Sequence, residues 1–157
     1  MKVLGIDPGS GVIGFGLVVH GAQPKMLGGG VIKTTIGGET SARLLELYRS
    51  MQQIVGEFKP DVAAVEKLFF AQNVTTAMNV SQARGVILLA LAEAGIPVHE
   101  YTPLQIKMAM TGYGRATKAQ MQEMVRVQLQ LKKKPSPDDA ADALGVALTH
   151  IATLKYT

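Results

Sequence analysis

Short apolar runs alternate with longer amphipathic stretches along this chain. Val3, Leu4 and Ile6 make a first apolar run that ends in Asp7, predicting a strand over residues 2–7. Ile13 to Val19 is small and apolar. Met26 to Thr34 alternates loosely around Gly28-Gly29-Gly30, with His20-Gly21-Ala22 and Pro24 between these two runs. Together they predict three consecutive antiparallel strands joined by short turns. Gly9, Gly11, Gly14 and Gly16 interrupt the strand propensity and mark close approach of the backbone to something else.

From Ser41 to Phe58 the period changes. Leu44, Leu45, Leu47, Tyr48, Met51, Ile54 and Val55 recur at three- and four-residue spacing, predicting a helix whose end is bracketed by Gly56 and Pro60. Asp61 to Glu66 predicts a buried strand that again ends in a carboxylate. Val74 to Ala94 predicts a second, Ala/Val/Leu/Met-rich helix, closed by Gly95 and Pro97. Pro97 to Tyr101 is a short strand. Thr102-Pro103 opens a short helix to about Thr111, and Gly112-Tyr113-Gly114 breaks it. Thr117 caps another helix reaching about Leu131, and Lys132-Lys133-Lys134-Pro135 is a basic loop. A last helix runs from Ser136 to about Leu154, with Ser136 as its cap and Pro137 at its first position. A hairpin start followed by strand–helix–strand crossovers predicts an α/β fold, a mixed five-stranded sheet flanked by helices, in a single domain over residues 1–157.

Charge changes the picture in one place. The chain carries +4 overall, but residues 1–100 balance eight Lys/Arg against eight Asp/Glu. Residues 101–134 hold Lys107, Arg115, Lys118, Arg126 and Lys132 to Lys134 against Glu123 alone. Such a segment suits a polyanion such as nucleic acid, or is simply a solvated basic face. With no cysteine there is no disulfide, thiolate zinc site or cysteine nucleophile. No uninterrupted apolar run is long enough to span a bilayer, and Met1-Lys2-Val3 enters a strand without a cleavable signal, so a cytoplasmic location without membrane contact is expected.

The candidate chemistry is acidic. Asp7 and Glu66 end two strands, and in sheets with helical crossovers sites collect beyond the carboxyl ends of parallel strands. The last helix begins with Asp138-Asp139-Ala140-Ala141-Asp142. Asp139 with Asp142, or Asp138 with Asp142, share a helix face. Acids in a first turn also favour the helix dipole, which accounts for Asp138 and Asp139 but poorly for Asp142 among Ala141, Ala143 and Leu144. An Asp-Pro-Gly turn accounts for Asp7 and a salt bridge for Glu66. Taken together, converging carboxylates with no Cys suit a hard divalent cation, Mg²⁺ or Mn²⁺, and phosphodiester hydrolysis. His20, His99 and His150 lack mutual metal-ligand spacing, and Met108, Met110, Met121 and Met124 fit core packing.

Gly5-Ile6-Asp7-Pro8-Gly9-Ser10 and Gly14-Phe15-Gly16 resemble the start of the RuvC family of Holliday-junction resolvases. The match continues through Val65-Glu66, Phe69, Gln82-Ala83-Arg84-Gly85, Lys107, Lys118 and Asp139-Ala140-Ala141-Asp142-Ala143-Leu144, in order and over nearly the whole chain. The resemblance implies a ribonuclease H-like fold and a Mg²⁺-dependent crossover junction endodeoxyribonuclease. It implies a homodimer that nicks opposed strands of a four-way junction symmetrically, with two metals per site, Mn²⁺ substituting. Cooperation with a branch-migration motor is also implied. By position, the metal ligands are Asp7, Glu66, Asp139 and Asp142. Lys107 and Lys118 lie near the scissile phosphate, Phe69 stacks on bases at the junction centre, and Arg84 lies on the dimer helix. Arg115 and Lys132, Lys133 and Lys134 are expected phosphate contacts. The competing classes are an RNA-processing nuclease on the same fold, a small actin-like phosphotransferase and a non-catalytic junction binder.

Overall fold

The computed structural model describes residues 1–35, 37–67 and 73–154. Its elements are β1 (Lys2–Asp7), β2 (Val12–Val19), β3 (Lys25–Lys33), α1 (Thr40–Phe58), β4 (Val62–Glu66), α2 (Val74–Glu93), β5 (Val98–Tyr101), α3 (Pro103–Thr111), α4 (Lys118–Gln128) and α5 (Asp138–Thr153). The strands form one mixed sheet in the order β3-β2-β1-β4-β5. β1, β2 and β3 are antiparallel neighbours, while β1–β4 and β4–β5 pair in parallel.

Alternation of side chains in the central strands builds two cores. Leu4 and Ile6 of β1 and Ala63 and Val65 of β4 face α1 and α2, where they meet Leu47, Met51 and Ile87. Val3, Val62 and Ala64 face the other way, onto α3, α4 and α5, meeting Ile106, Val125, Leu144 and Leu148. The period of two along a strand then dictates where the acids go. Asp7 shares its face with Val3, and Glu66 shares its face with Val62 and Ala64, so both carboxylates emerge on the α5 side.

α5 lies unusually close to that face. A Cβ placed on Gly5 would sit 2.0 Å from the Ala143 carbonyl oxygen, and one on Gly14 would sit 2.0 Å from the Asp139 carbonyl oxygen. Only hydrogen at these positions lets the helix backbone rest on the sheet. From Ala140 to Ile151 every α5 residue except Asp142 is buried.

Several helix ends differ from the expected ones. α1 runs through Gly56 and ends at Lys59, whose left-handed backbone (φ 48°) closes it. α4 stops at Gln128 rather than near Leu131. Gln130 turns left-handed (φ 53°) and the Leu131 N–H reaches back to the Arg126 carbonyl at 2.9 Å, a C-terminal motif usually built on glycine. α5 starts two residues late. Pro137, not Ser136, is the residue before it, after a cis Ser136–Pro137 peptide, and no side chain caps the helix. Thr102 and Thr117 do cap α3 and α4, each in a reciprocal box with Gln105 and Gln120. Met110 is in the core as expected, whereas Met108 is 49% exposed at the surface.

α2 is long and apolar enough, by length and composition alone, to cross a bilayer. However, Ala83, Ile87, Ala90 and Leu91 pack into the α1 side of the core. No other helix among the described residues meets that criterion.

Candidate active site

Parallel pairing of Ile6 with Val65 sets the ends of β1 and β4 level, which brings Asp7 beside Glu66. The antiparallel partner of Asp7 is Gly14, on which the first turn of α5 rests. Asp139 and Asp142, one helical turn apart, are thereby delivered to Asp7. One carboxylate oxygen from each of Asp7, Asp139 and Asp142 lies within 4.8 Å of the others. Glu66 joins through a hydrogen bond with Asp7. All four acids predicted as ligands therefore converge.

Crowding four carboxyls in a half-buried recess is electrostatically unfavourable, and their proton affinities show it. Burial, then the charge and hydrogen bond of Glu66, push Asp7 up to about 8. Glu66 and Asp142 are also raised, in each case chiefly by burial. An all-oxygen donor set that cannot bear its own charge fits a hard divalent cation, which would replace those protons.

Two lysines face this recess from the helices over it. Lys118, the first residue of α4, reaches Asp142 at 3.2 Å and Asp138 at 3.8 Å. Its hydrogen bond to Asp142 raises its own proton affinity. Lys107 of α3 acts on Glu66, and its charge offsets part of the rise that burial causes there. Lys107, Lys118, Glu66 and Asp142 line a cleft of about 220 Å³ whose apolar walls are Pro103, Ile106, Ala116 and Met121. Asp138, left open beside Asp139 by helical spacing, points to Lys118 rather than joining the acidic group.

The other expected residues lie further out. Arg115 is exposed on the α3–α4 turn, and Lys132, Lys133 and Lys134 are exposed on the connection into α5. Phe69 lies outside the described residues. Arg84 turns back onto Glu100 of β5 in an intrachain ion pair. Two contributions escaped the sequence reading. Arg43 of α1 braces the turn after Asp7 by donating to the Ser10 carbonyl at 2.7 Å and to Thr34 Oγ1 at 3.3 Å. Tyr101, paired with Glu66 across β5, holds the buried His150 ring by a 2.7 Å hydrogen bond between its hydroxyl and Nδ1. Neither is legible from local spacing, because both contacts join distant parts of the chain.

Comparison with known proteins decides the family. Residues 3–150 match the family model described as crossover junction endodeoxyribonuclease RuvC. The chain belongs to the RuvC family. It is 52% identical over 151 residues to the RuvC crossover junction endodeoxyribonuclease of Brevibacillus brevis, covering 96% of this chain and 91% of that protein. It is 53% identical over 154 residues to the RuvC of Chloroflexus aurantiacus, covering 98% and 94%. The structure of Thermus thermophilus RuvC in complex with a Holliday junction substrate superposes with a TM-score of 0.93 at 39% identity, over 99% of this chain and 96% of that one. The yeast mitochondrial Holliday junction resolvase Ydc2 shares the fold, with a TM-score of 0.71 at 15% identity. The fold is thus the ribonuclease H-like one of RuvC, as the motif resemblance implied.

Proposed function

We propose that residues 1–157 act as one nuclease domain that resolves four-way DNA junctions by paired symmetrical nicks, in recombination and repair, with two Mg²⁺ ions per site. The observation that carries this reading is the meeting of Asp7, Glu66, Asp139 and Asp142 under Lys107 and Lys118. Asp7 is the central ligand, since the other three carboxyls surround it. Mn²⁺ substitutes, because only oxygen donors are offered. When bound, the ions supply Lewis-acid stabilisation of the phosphate and a more acidic water.

The chain's own residues do the rest. Lys107 and Lys118 place positive charge where negative charge develops on the phosphate oxygens. Pro103, Ile106 and Met121 shield the cleft from water. Lys118 also bonds Asp142 Oδ2 at 3.2 Å, which helps hold that carboxylate at the cleft. Arg115 and Lys132 to Lys134 hold the backbone of the arms, and Phe69 stacks at the junction centre.

The homodimer reading is supported by α2. Val74, Met78 and Leu89 are 76, 59 and 62% exposed and fall, with Gly85, on one face of the helix. Arg84 flanks that face. Two such faces pack against each other and present two sites to opposed strands. A branch-migration motor supplies the junction, and the reaction is cytoplasmic.

The test is a synthetic mobile four-way junction, end-labelled on each strand in turn. Paired nicks that require Mg²⁺, with cleavage abolished but binding kept in Asp7→Asn, are expected. Nicking by Asp7→Asn at the wild-type rate would refute the assignment.

A further inference from the structure

The α3–α4 turn carries groups that neither the acidic site nor the core uses. Tyr113 is 56% exposed, and Leu104 and Met108 on α3 are 60% and 49% exposed. They are not scattered. A Cβ on Gly114 would lie 2.7 Å from Leu104 Cδ1 and 3.7 Å from Met108 Sδ, so both side chains cover the backbone next to Tyr113.

The turn that displays Tyr113 is tightly braced. Gly112 closes α3 in the left-handed region (φ 71°), its N–H bonded to the Met108 carbonyl at 2.9 Å. The Tyr113 N–H donates to Thr111 Oγ1 at 3.1 Å, the Thr111 hydroxyl donates to the Lys107 carbonyl at 2.8 Å, and the Ala116 N–H donates to the Tyr113 carbonyl at 3.2 Å. Among the described residues the Tyr113 hydroxyl has no hydrogen-bond partner. An aromatic ring held out on a fixed backbone loses little freedom when something lands on it.

Position and charge say what lands there. Ala116 lines both the active-site cleft and an adjoining shallow hollow of about 470 Å³ that includes Tyr113 and Met124. Lys107, next to Met108, faces the cleft, and Arg115 is exposed two residues beyond Tyr113. The one acid at the hollow, Glu123, is held by both prongs of Arg126 at 2.7–3.0 Å. An aromatic and apolar surface between Lys107 and Arg115, beside a phosphodiester site, suits an anionic chain with planar rings better than a protein helix.

We propose that Tyr113, flanked by Leu104 and Met108, is a stacking shelf for a nucleobase adjoining the scissile phosphate, with Arg115 on that nucleotide's phosphate. The proposal rests on the junction-nuclease reading above and adds a base contact to it.

The experiment compares full-length wild type, Tyr113→Ala and Tyr113→Phe on junctions carrying 2-aminopurine at each position flanking the cut, in EDTA for binding and in Mg²⁺ for nicking. Stacking on one aromatic is worth about 5- to 150-fold in affinity. At one position, wild type and Tyr113→Phe should quench the probe. Tyr113→Ala should leave it bright and bind at least about fivefold more weakly, with an unchanged melting temperature. If wild type nicks and Tyr113→Ala binds and quenches equally well, the shelf is overturned and the nuclease reading stands. Equal losses in Tyr113→Phe and Tyr113→Ala also overturn it, because the hydroxyl and not the ring would then be the contact. A wild type that neither binds nor nicks the junction overturns both.

Discussion

Gly14→Ala should disable the site without touching a ligand. The added Cβ would stand 2.0 Å from the Asp139 carbonyl oxygen and 2.5 Å from its carbonyl carbon, where ordinary contact begins near 3.4 Å. Neither atom belongs to a flexible side-chain tip. Both are backbone of the first turn of α5, so the helix start must back away from β2 by about 1.4 Å. Gly14 is the sheet partner of Asp7, so this retreat opens the gap between Asp7 and the Asp139–Asp142 pair. Displacements of about 1 Å at a reacting centre cost on the order of 10²-fold in rate. Overpacking of this kind costs about 1–3 kcal/mol of stability, roughly 2–12 °C in melting temperature for a chain of this size. Single-turnover cleavage of a labelled junction and calorimetric Mn²⁺ titration should show about a 100-fold slower rate and weakened metal binding. Gly56→Ala provides the contrast, since that glycine is inside α1 with nothing within 4 Å of its Cβ position. It should gain about 0.5–1 kcal/mol and leave cleavage alone. A folded Gly14→Ala protein with wild-type metal affinity and rate would show that α5 can move without moving the ligands.

Other consequences are equally direct. Asp7 releases its proton near pH 3.8 when unfolded and near pH 8 when folded, so across that window the unfolded state binds fewer protons. The metal-free protein should lose stability as pH rises from about 4 to 8. Glu66 and Asp142 add to the same slope, while the depressed His150 opposes it below about pH 6.5. The difference between wild type and Asp7→Asn in melting against pH isolates the Asp7 share, and a constant difference would contradict the crowding. Thr117→Ala removes the cap of α4 and should cost about 1 kcal/mol, read as a denaturant midpoint, with Thr117→Ser restoring it. In the proposed α2-paired dimer, Leu89→Glu places charge on the seam and should yield monomers by light scattering with the helical circular-dichroism signal kept; an intact dimer would move the interface elsewhere.

Much of this architecture could be read from residue order, because its signals are local. Strand alternation, Thr102-Pro103 and Thr117 each declare themselves within a few residues, and the strand-terminal acids Asp7 and Glu66 stand out against apolar neighbours. Even the role of Gly14 as a point of close approach is visible as a glycine where a strand would prefer a larger residue. What stayed hidden depends on partners far away in sequence. Lys59 and Gln130 end helices in a left-handed conformation that neither residue type advertises. Helical spacing alone could not choose between Asp138 and Asp139. The contact of α5 with Gly14 turns Asp139 toward Asp7 and leaves Asp138 facing Lys118. The contacts of Arg43 with Ser10 and of Tyr101 with His150 join residues 33 and 49 positions apart, and no periodicity announces them.

The acidic recess draws two carboxylates from strand ends, Asp7 and Glu66, and two from α5, which is almost wholly enclosed by the rest of the protein. No early portion of the polypeptide can therefore assemble a competent centre. A ribosome-bound or prematurely terminated product would lack half of the carboxylates, together with the surface that aligns them. Half of the acidic recess thus depends on the part of the chain that is synthesised last.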